Sequence, residues 1–81
     1  LLNSLAYAFV TAAHAYLGHL ESTQLTLKTF ISERKHEFDS RGIEITENTV
    51  QTLAGAYKVM WRDPLNWEQL ADGLRLAGLP D

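Results

Sequence analysis

The stretch from Leu5 to Leu17 limits what this chain can become more than any other. It interleaves Ala6, Ala8, Ala12, Ala13 and Ala15 with Tyr7, Phe9, Val10, Tyr16 and Leu17. Alanine is the strongest helix former, and nothing in the run breaks a helix. Asn3 or Ser4 can cap a helix that continues to about Leu20. Its polar relief is one narrow strip of Thr11, His14, Gly18 and Glu21. A helix with so little polar surface is normally enclosed by protein. A bilayer does not suit it, because Thr11 and His14 interrupt a run already shorter than the roughly 18–20 residues of a span. It also lacks the basic start of a signal peptide. Protein must therefore cover this helix, from its own domain or from a partner.

The remaining residues supply more helices and no sheet. Residues 1–81 make one domain, with no room for a second core. Ser22 or Thr23 can cap a second helix to about Ser40, stopped by Gly42, with Leu27, Phe30, Ile31 and Phe38 as its apolar stripe. Neither Pro nor Gly enforces a break at 21–23, so one long kinked rod is an alternative to two helices. Ile43-Glu44-Ile45 is too short and alone to form a sheet, and reads as a connector with both Ile side chains inward. Thr46 caps a third helix to about Arg62, with Val50, Leu53, Ala54, Tyr57, Met60 and Trp61 toward the core. Asp63-Pro64 ends it, since Pro cannot continue the hydrogen-bond ladder. A fourth helix runs to about Ala77 and stops at Gly78 and Pro80. The expected fold is all-α: a small four-helix, mostly antiparallel bundle whose fourth helix is short. Trp61 and Trp67 are expected in the core at the corner between helices three and four. A start at Leu1 rather than Met suggests a domain excised from or processed out of a longer chain.

Charge and side-chain chemistry argue against most catalytic classes. Seven Lys and Arg against ten Asp and Glu give a net charge of −3, without the basic footprint that phosphate contacts require. The absence of Cys excludes disulfides and thiolate chemistry. His14 and His19 lie five residues apart, whereas a helix brings residues three or four apart to one face, so they are expected to diverge. No phosphate-binding loop, nucleophile elbow or H-E-x-x-H pattern occurs. Glu33 and Glu37 sit among cations, as an ordinary ion-paired surface does. Arg34, Lys35 and His36, with Lys28 and Arg41, read as a solvated face, and Arg34→Ala is expected to change stability by under about 0.5 kcal/mol. The expectation is therefore no enzyme, with no catalytic, cofactor-binding or metal-ligating residues and no cofactor.

Two short segments suggest other roles. Ala13-His14-Ala15-Tyr16-Leu17-Gly18 resembles the phosphorylated segment of histidine phosphotransfer domains, whose pattern is His-x-Leu-Lys-Gly within a helical bundle. That resemblance would make His14 a phosphoacceptor, but Leu17 stands where the family's Lys neutralises the phosphate. Leu65-Asn66-Trp67-Glu68-Gln69-Leu70-Ala71 resembles the first helix of a helix-turn-helix, yet the sequence ends at Asp81, where a recognition helix would begin. A nucleic-acid-associated regulatory domain is thus the alternative function.

Excess apolar surface on helix one carries the leading expectation. Leu5, Phe9, Ala12, Tyr16 and Leu20 form one stripe, assigned to the domain's own core. Leu2, Ala6, Val10, Ala13 and Leu17 form a second at neighbouring azimuth, assigned to an interface. Exposed patches of this kind mark interaction sites, and a two-fold homodimer is the commonest closed arrangement. The expected function is a non-catalytic protein–protein interaction or homo-oligomerisation module. Its partner is a protein or a second copy, with neither nucleic acid nor membrane, and its compartment is by default the cytoplasm.

Overall fold

The computed structural model describes residues 2–60 and 64–81, and the side chains of residues 4–59 and 66–81. These residues form α1 (Leu2–Leu17), α2 (Leu20–Ser40), α3 (Val50–Ala54) and α4 (Pro64–Leu76), with a 3-10 segment, Gly55–Met60, following α3. There is no strand among the described residues. The expected all-α class holds with four helices, but the short helix is the third and not the fourth.

Three glycines punctuate this order. Gly18, Gly42 and Gly78 have φ of 75°, 74° and 110°, a region that side-chain-bearing residues rarely enter. Each closes its helix with the same pair of hydrogen bonds. Around Gly18 these are Gly18 N–H to Ala15 C=O (3.2 Å) and His19 N–H to His14 C=O (3.0 Å). Around Gly42 they run to Asp39 and Phe38, and around Gly78 to Arg75 and Leu74 (Leu79 N–H to Leu74 C=O). This is the Schellman termination, in which the residue after the glycine bonds back five positions. Gly18 therefore separates the first two helices, and the alternative of one kinked rod is excluded. It also moves the second helix start forward to Leu20. Thr23 lies inside the helix, and both its amide and its hydroxyl bond to the His19 carbonyl.

The third helix departs most from expectation. Thr49 rather than Thr46 is its cap: its backbone is extended, and its hydroxyl accepts the Thr52 amide at 3.0 Å. The Val50 amide donates to the Pro80 carbonyl at 2.7 Å, which ties the start of α3 to the C-terminal tail. After one turn the α-helix tightens into the 3-10 segment, which carries Tyr57 into the core. Ile45 packs against the core, but Ile43 is exposed. Trp67 is buried as expected. Trp61, Arg62 and Asp63, and the side chain of Met60, lie outside the described residues, so that half of the Trp corner does too.

Helix α1 keeps Ala12 in the core and Leu5 packed against it as expected, but the other three residues of that stripe, Phe9, Tyr16 and Leu20, are exposed. Its buried residues are Ser4, Ala8, Thr11 and Ala12, while Phe9 is 46% and Tyr16 54% exposed. Thr11, assigned to the polar strip, is fully buried and donates to the Tyr7 carbonyl at 2.7 Å. At Ala12 the helices cross closely. A Cβ built on Gly73 of α4 would lie 2.4 Å from Ala12 Cβ, so the two backbones nearly touch there. Only small side chains fit such a contact.

A polar cluster spans the other side of the core. Arg34 of α2, expected on a solvated face, is 1% exposed. Its Nε donates to the Leu53 carbonyl, its Nη1 donates to Glu37 Oε1 at 3.3 Å, and its guanidinium lies 4.6 Å and 4.7 Å from the ring centres of Phe38 and Tyr57. Ser4 donates to Glu37 Oε2 at 3.0 Å and lies 2.6 Å from the Tyr57 hydroxyl. The charge is buried because carboxylate, carbonyl and ring faces replace its water. Glu37 and Arg34 thus form a packed ion pair that joins α1, α2, α3 and the 3-10 segment.

The cluster sets a pH window for stability. Burial works to raise the Glu37 carboxyl, but the hydrogen bonds it accepts, those of Ser4 and Arg34 among them, bring it below its ordinary 4.5. Burial raises the Tyr57 phenol above its ordinary 10.0, against opposing effects of Ser4 and Arg34. A lowered acid stabilises the fold above its unfolded value, and that contribution is lost as pH falls through the folded value. A raised phenol contributes below its unfolded value and loses this as pH rises through the folded one. Unfolding free energy from urea titrations should therefore fall below about pH 4.5 and above about pH 10, with Glu37→Gln flattening the acid limb and Tyr57→Phe the alkaline limb. Acid limbs of equal slope in the wild type and Glu37→Gln would contradict this assignment.

Candidate interaction face

The small-inward packing of α1 turns its bulk outward. Of the five residues expected at an interface, Ala6, Val10, Ala13 and Leu17 are all exposed, Val10 at 43% and Leu17 at 68%. The side chain of Leu2 lies outside the described residues. The four follow one another at intervals of four, three and four, which places them in a single stripe along the helix. Tyr7 and Phe9 extend this surface. The Phe9 and Tyr16 positions, assigned by sequence to the domain's own core, instead border a groove of about 450 Å³ between α1 and α4, with Ala13, Asn66 and Gln69. The Tyr16 hydroxyl crosses this groove and donates to the Gln69 carbonyl at 2.7 Å. A second depression, lined by Ala6, Tyr7, Val10 and Glu33, runs along the α2 side of the stripe.

The histidines fall differently from their expected divergence. His14 is half-buried and His19 exposed, and their Nδ1 atoms lie 3.2 Å apart. Their rings are 5.4 Å apart between centres and tilted by 45°. The helical rule of three or four residues fails because the helix ends between them. A Schellman turn brings the residue after the glycine back over the residue five positions earlier. The pattern His-x-x-x-Gly-His carries that signal in the sequence. His36 is exposed on α2. Among the described residues no group of three or more His, Asp or Glu gathers as metal ligands do.

Burial of Arg34 also changes the basic face of α2. Lys28, Lys35 and Arg41 are exposed, but the Arg34 guanidinium is committed to Leu53 and Glu37 and cannot serve a phosphate. No described helix is long and apolar enough to cross a membrane. No protein-family model matches the chain, and no curated protein or solved structure is significantly similar to it.

Proposed function

We propose that this domain is a non-catalytic assembly module, a small and mostly antiparallel helical bundle that pairs with a second copy through the outward stripe of α1. The two-residue turn between α1 and α2, and the bond from Ser4 near the start of α1 to Glu37 near the end of α2, support the antiparallel arrangement. The observation that carries the pairing is the distribution of side-chain size around α1. Small residues are spent on the domain's own core, and Val10 and Leu17 are left in water.

The stripe is complementary to itself. Ala6, Val10, Ala13 and Leu17 have the alternating four-and-three spacing of a two-helix seam. When two copies lie antiparallel about a two-fold axis near Thr11 and Ala12, Ala6 meets the second copy's Leu17 and Val10 meets its Ala13. Each layer then combines one small and one larger side chain, which keeps the helix separation constant along the seam. A two-fold interface requires such self-matching.

Sedimentation equilibrium tests this reading. The wild type is expected to be dimeric at about 100 μM, well above a micromolar dissociation constant. Val10→Glu with Leu17→Glu is expected to stay helical and become monomeric, because each buried seam position would then place a carboxylate in an apolar contact. A wild-type chain already monomeric at that concentration overturns the proposal.

A further inference from the structure

The three Schellman turns are built alike, and one of them differs in chemistry. In this motif the third residue from the helix end and the residue after the glycine come together, usually as an apolar pair. Here those positions hold Phe38 and Ile43 at the end of α2, and Leu74 and Leu79 at the end of α4. At the end of α1 they hold His14 and His19. Two imidazoles thus stand where the same chain elsewhere uses hydrocarbon, with their Nδ1 atoms 3.2 Å apart on an accessible surface.

We infer that His14 and His19 form a two-imidazole site for a late first-row divalent metal ion, Zn²⁺, Ni²⁺ or Cu²⁺. Imidazole nitrogen suits these ions, whereas the oxygen-seeking Mg²⁺ and Ca²⁺ prefer carboxylates. Geometry favours the same conclusion. Two nitrogens bound at about 2.0–2.1 Å in a tetrahedral arrangement lie about 3.3–3.4 Å apart, close to the 3.2 Å found here. Without metal, one Nδ1–H donates to the other ring's Nδ1 lone pair. Metal binding needs this donor ring to move its proton from Nδ1 to Nε2 and both rings to turn by roughly 35°, so that the two lone pairs point at the ion and not at each other. The turn is already held by the His19 N–H to His14 C=O bond and by Gly18, so little chain ordering accompanies binding. With two protein ligands the ion keeps water at its other positions, leaving them open to a further donor. Both rings belong to one chain, so the site does not depend on pairing through α1.

Zn²⁺ titration of the tag-free chain tests the inference, by calorimetry and by NMR of the histidine ring carbons. One ion per chain is expected, with the largest shifts at His14 and His19 and little change at His36. His14→Ala and His19→Leu should each weaken binding by more than about tenfold, while His36→Ala binds as the wild type does. His19→Leu restores the apolar pairing seen at the other two turns, so its melting temperature should equal or exceed that of the wild type. This separates loss of ligation from loss of fold. No binding at millimolar Zn²⁺, or binding that survives both His14→Ala and His19→Leu, would reduce the pair to a hydrogen-bonded helix cap and overturn the inference.

Discussion

Arg34→Ala is expected to cost about 3–5 kcal/mol in urea unfolding, the range for removing one partner of a buried ion pair. The side chain is almost wholly enclosed and makes several contacts at once. Its loss strips the Leu53 carbonyl of its donor and takes the cation from Glu37. It also leaves a void between the faces of Phe38 and Tyr57. For a domain whose total stability is of order 5–10 kcal/mol, such a variant is close to unfolding at room temperature. Arg34→Lys should recover only part of the loss, since an ammonium lacks the planar fork and stacks poorly on rings. The neighbouring Lys35→Ala should change stability by under about 0.5 kcal/mol, because that side chain is exposed. Equal, small effects of both substitutions would show that the guanidinium is not buried in solution.

Gly73→Ala sets two known effects against each other. In the middle of a helix, replacing Gly with Ala ordinarily stabilises by about 0.5–1 kcal/mol. At this position the new Cβ would lie 2.4 Å from Ala12 Cβ and 2.9 Å from Ala12 Cα. Neither atom can move by changing rotamer, so α1 and α4 must separate. Forcing extra volume into a packed contact costs about 1–3 kcal/mol or more, and the net effect is expected to be destabilising. Thermal unfolding with Ala12→Gly as the second arm of a double-mutant cycle isolates the contact. Gly73→Ala should be less harmful in the Ala12→Gly background, with incomplete recovery because the backbone atom remains. A Gly73→Ala variant more stable than the wild type would place the helices farther apart than described.

The elements themselves were largely legible from local chemistry. The Ala-rich run forms α1, Gly42 and Gly78 end α2 and α4, and Pro64 opens α4. Gly18 was equally readable as a helix stop, since its positive φ gives the same termination as the other two. Reading it as part of a polar strip concealed both the turn and the histidine pair. Thr23 and Thr46 are good capping residues by type, but so are Thr26, Thr29, Thr49 and Thr52. The contact from Val50 to Pro80, distant in sequence, accompanies the choice of Thr49.

Facing was legible only in part. Helical periodicity shows which residues of α1 share a stripe, but α1 is apolar on nearly every side and hydrophobicity alone ranks no stripe first. The sequence by itself determined an all-helical chain, the ends of its main helices and an excess of apolar surface on α1. Tertiary structure decided that Ala8 and Thr11 go inward beside Ala12 while Phe9 and Tyr16 go outward; at Ala12 itself Gly73 lets α4 approach too closely for a larger side chain. It also decided that Arg34 is buried, since Glu37, Ser4, Tyr57 and the Leu53 carbonyl converge on one place from separate parts of the chain. Helix formation depends on neighbours within a turn or two, whereas the burial of a charge depends on partners that only the folded chain brings together.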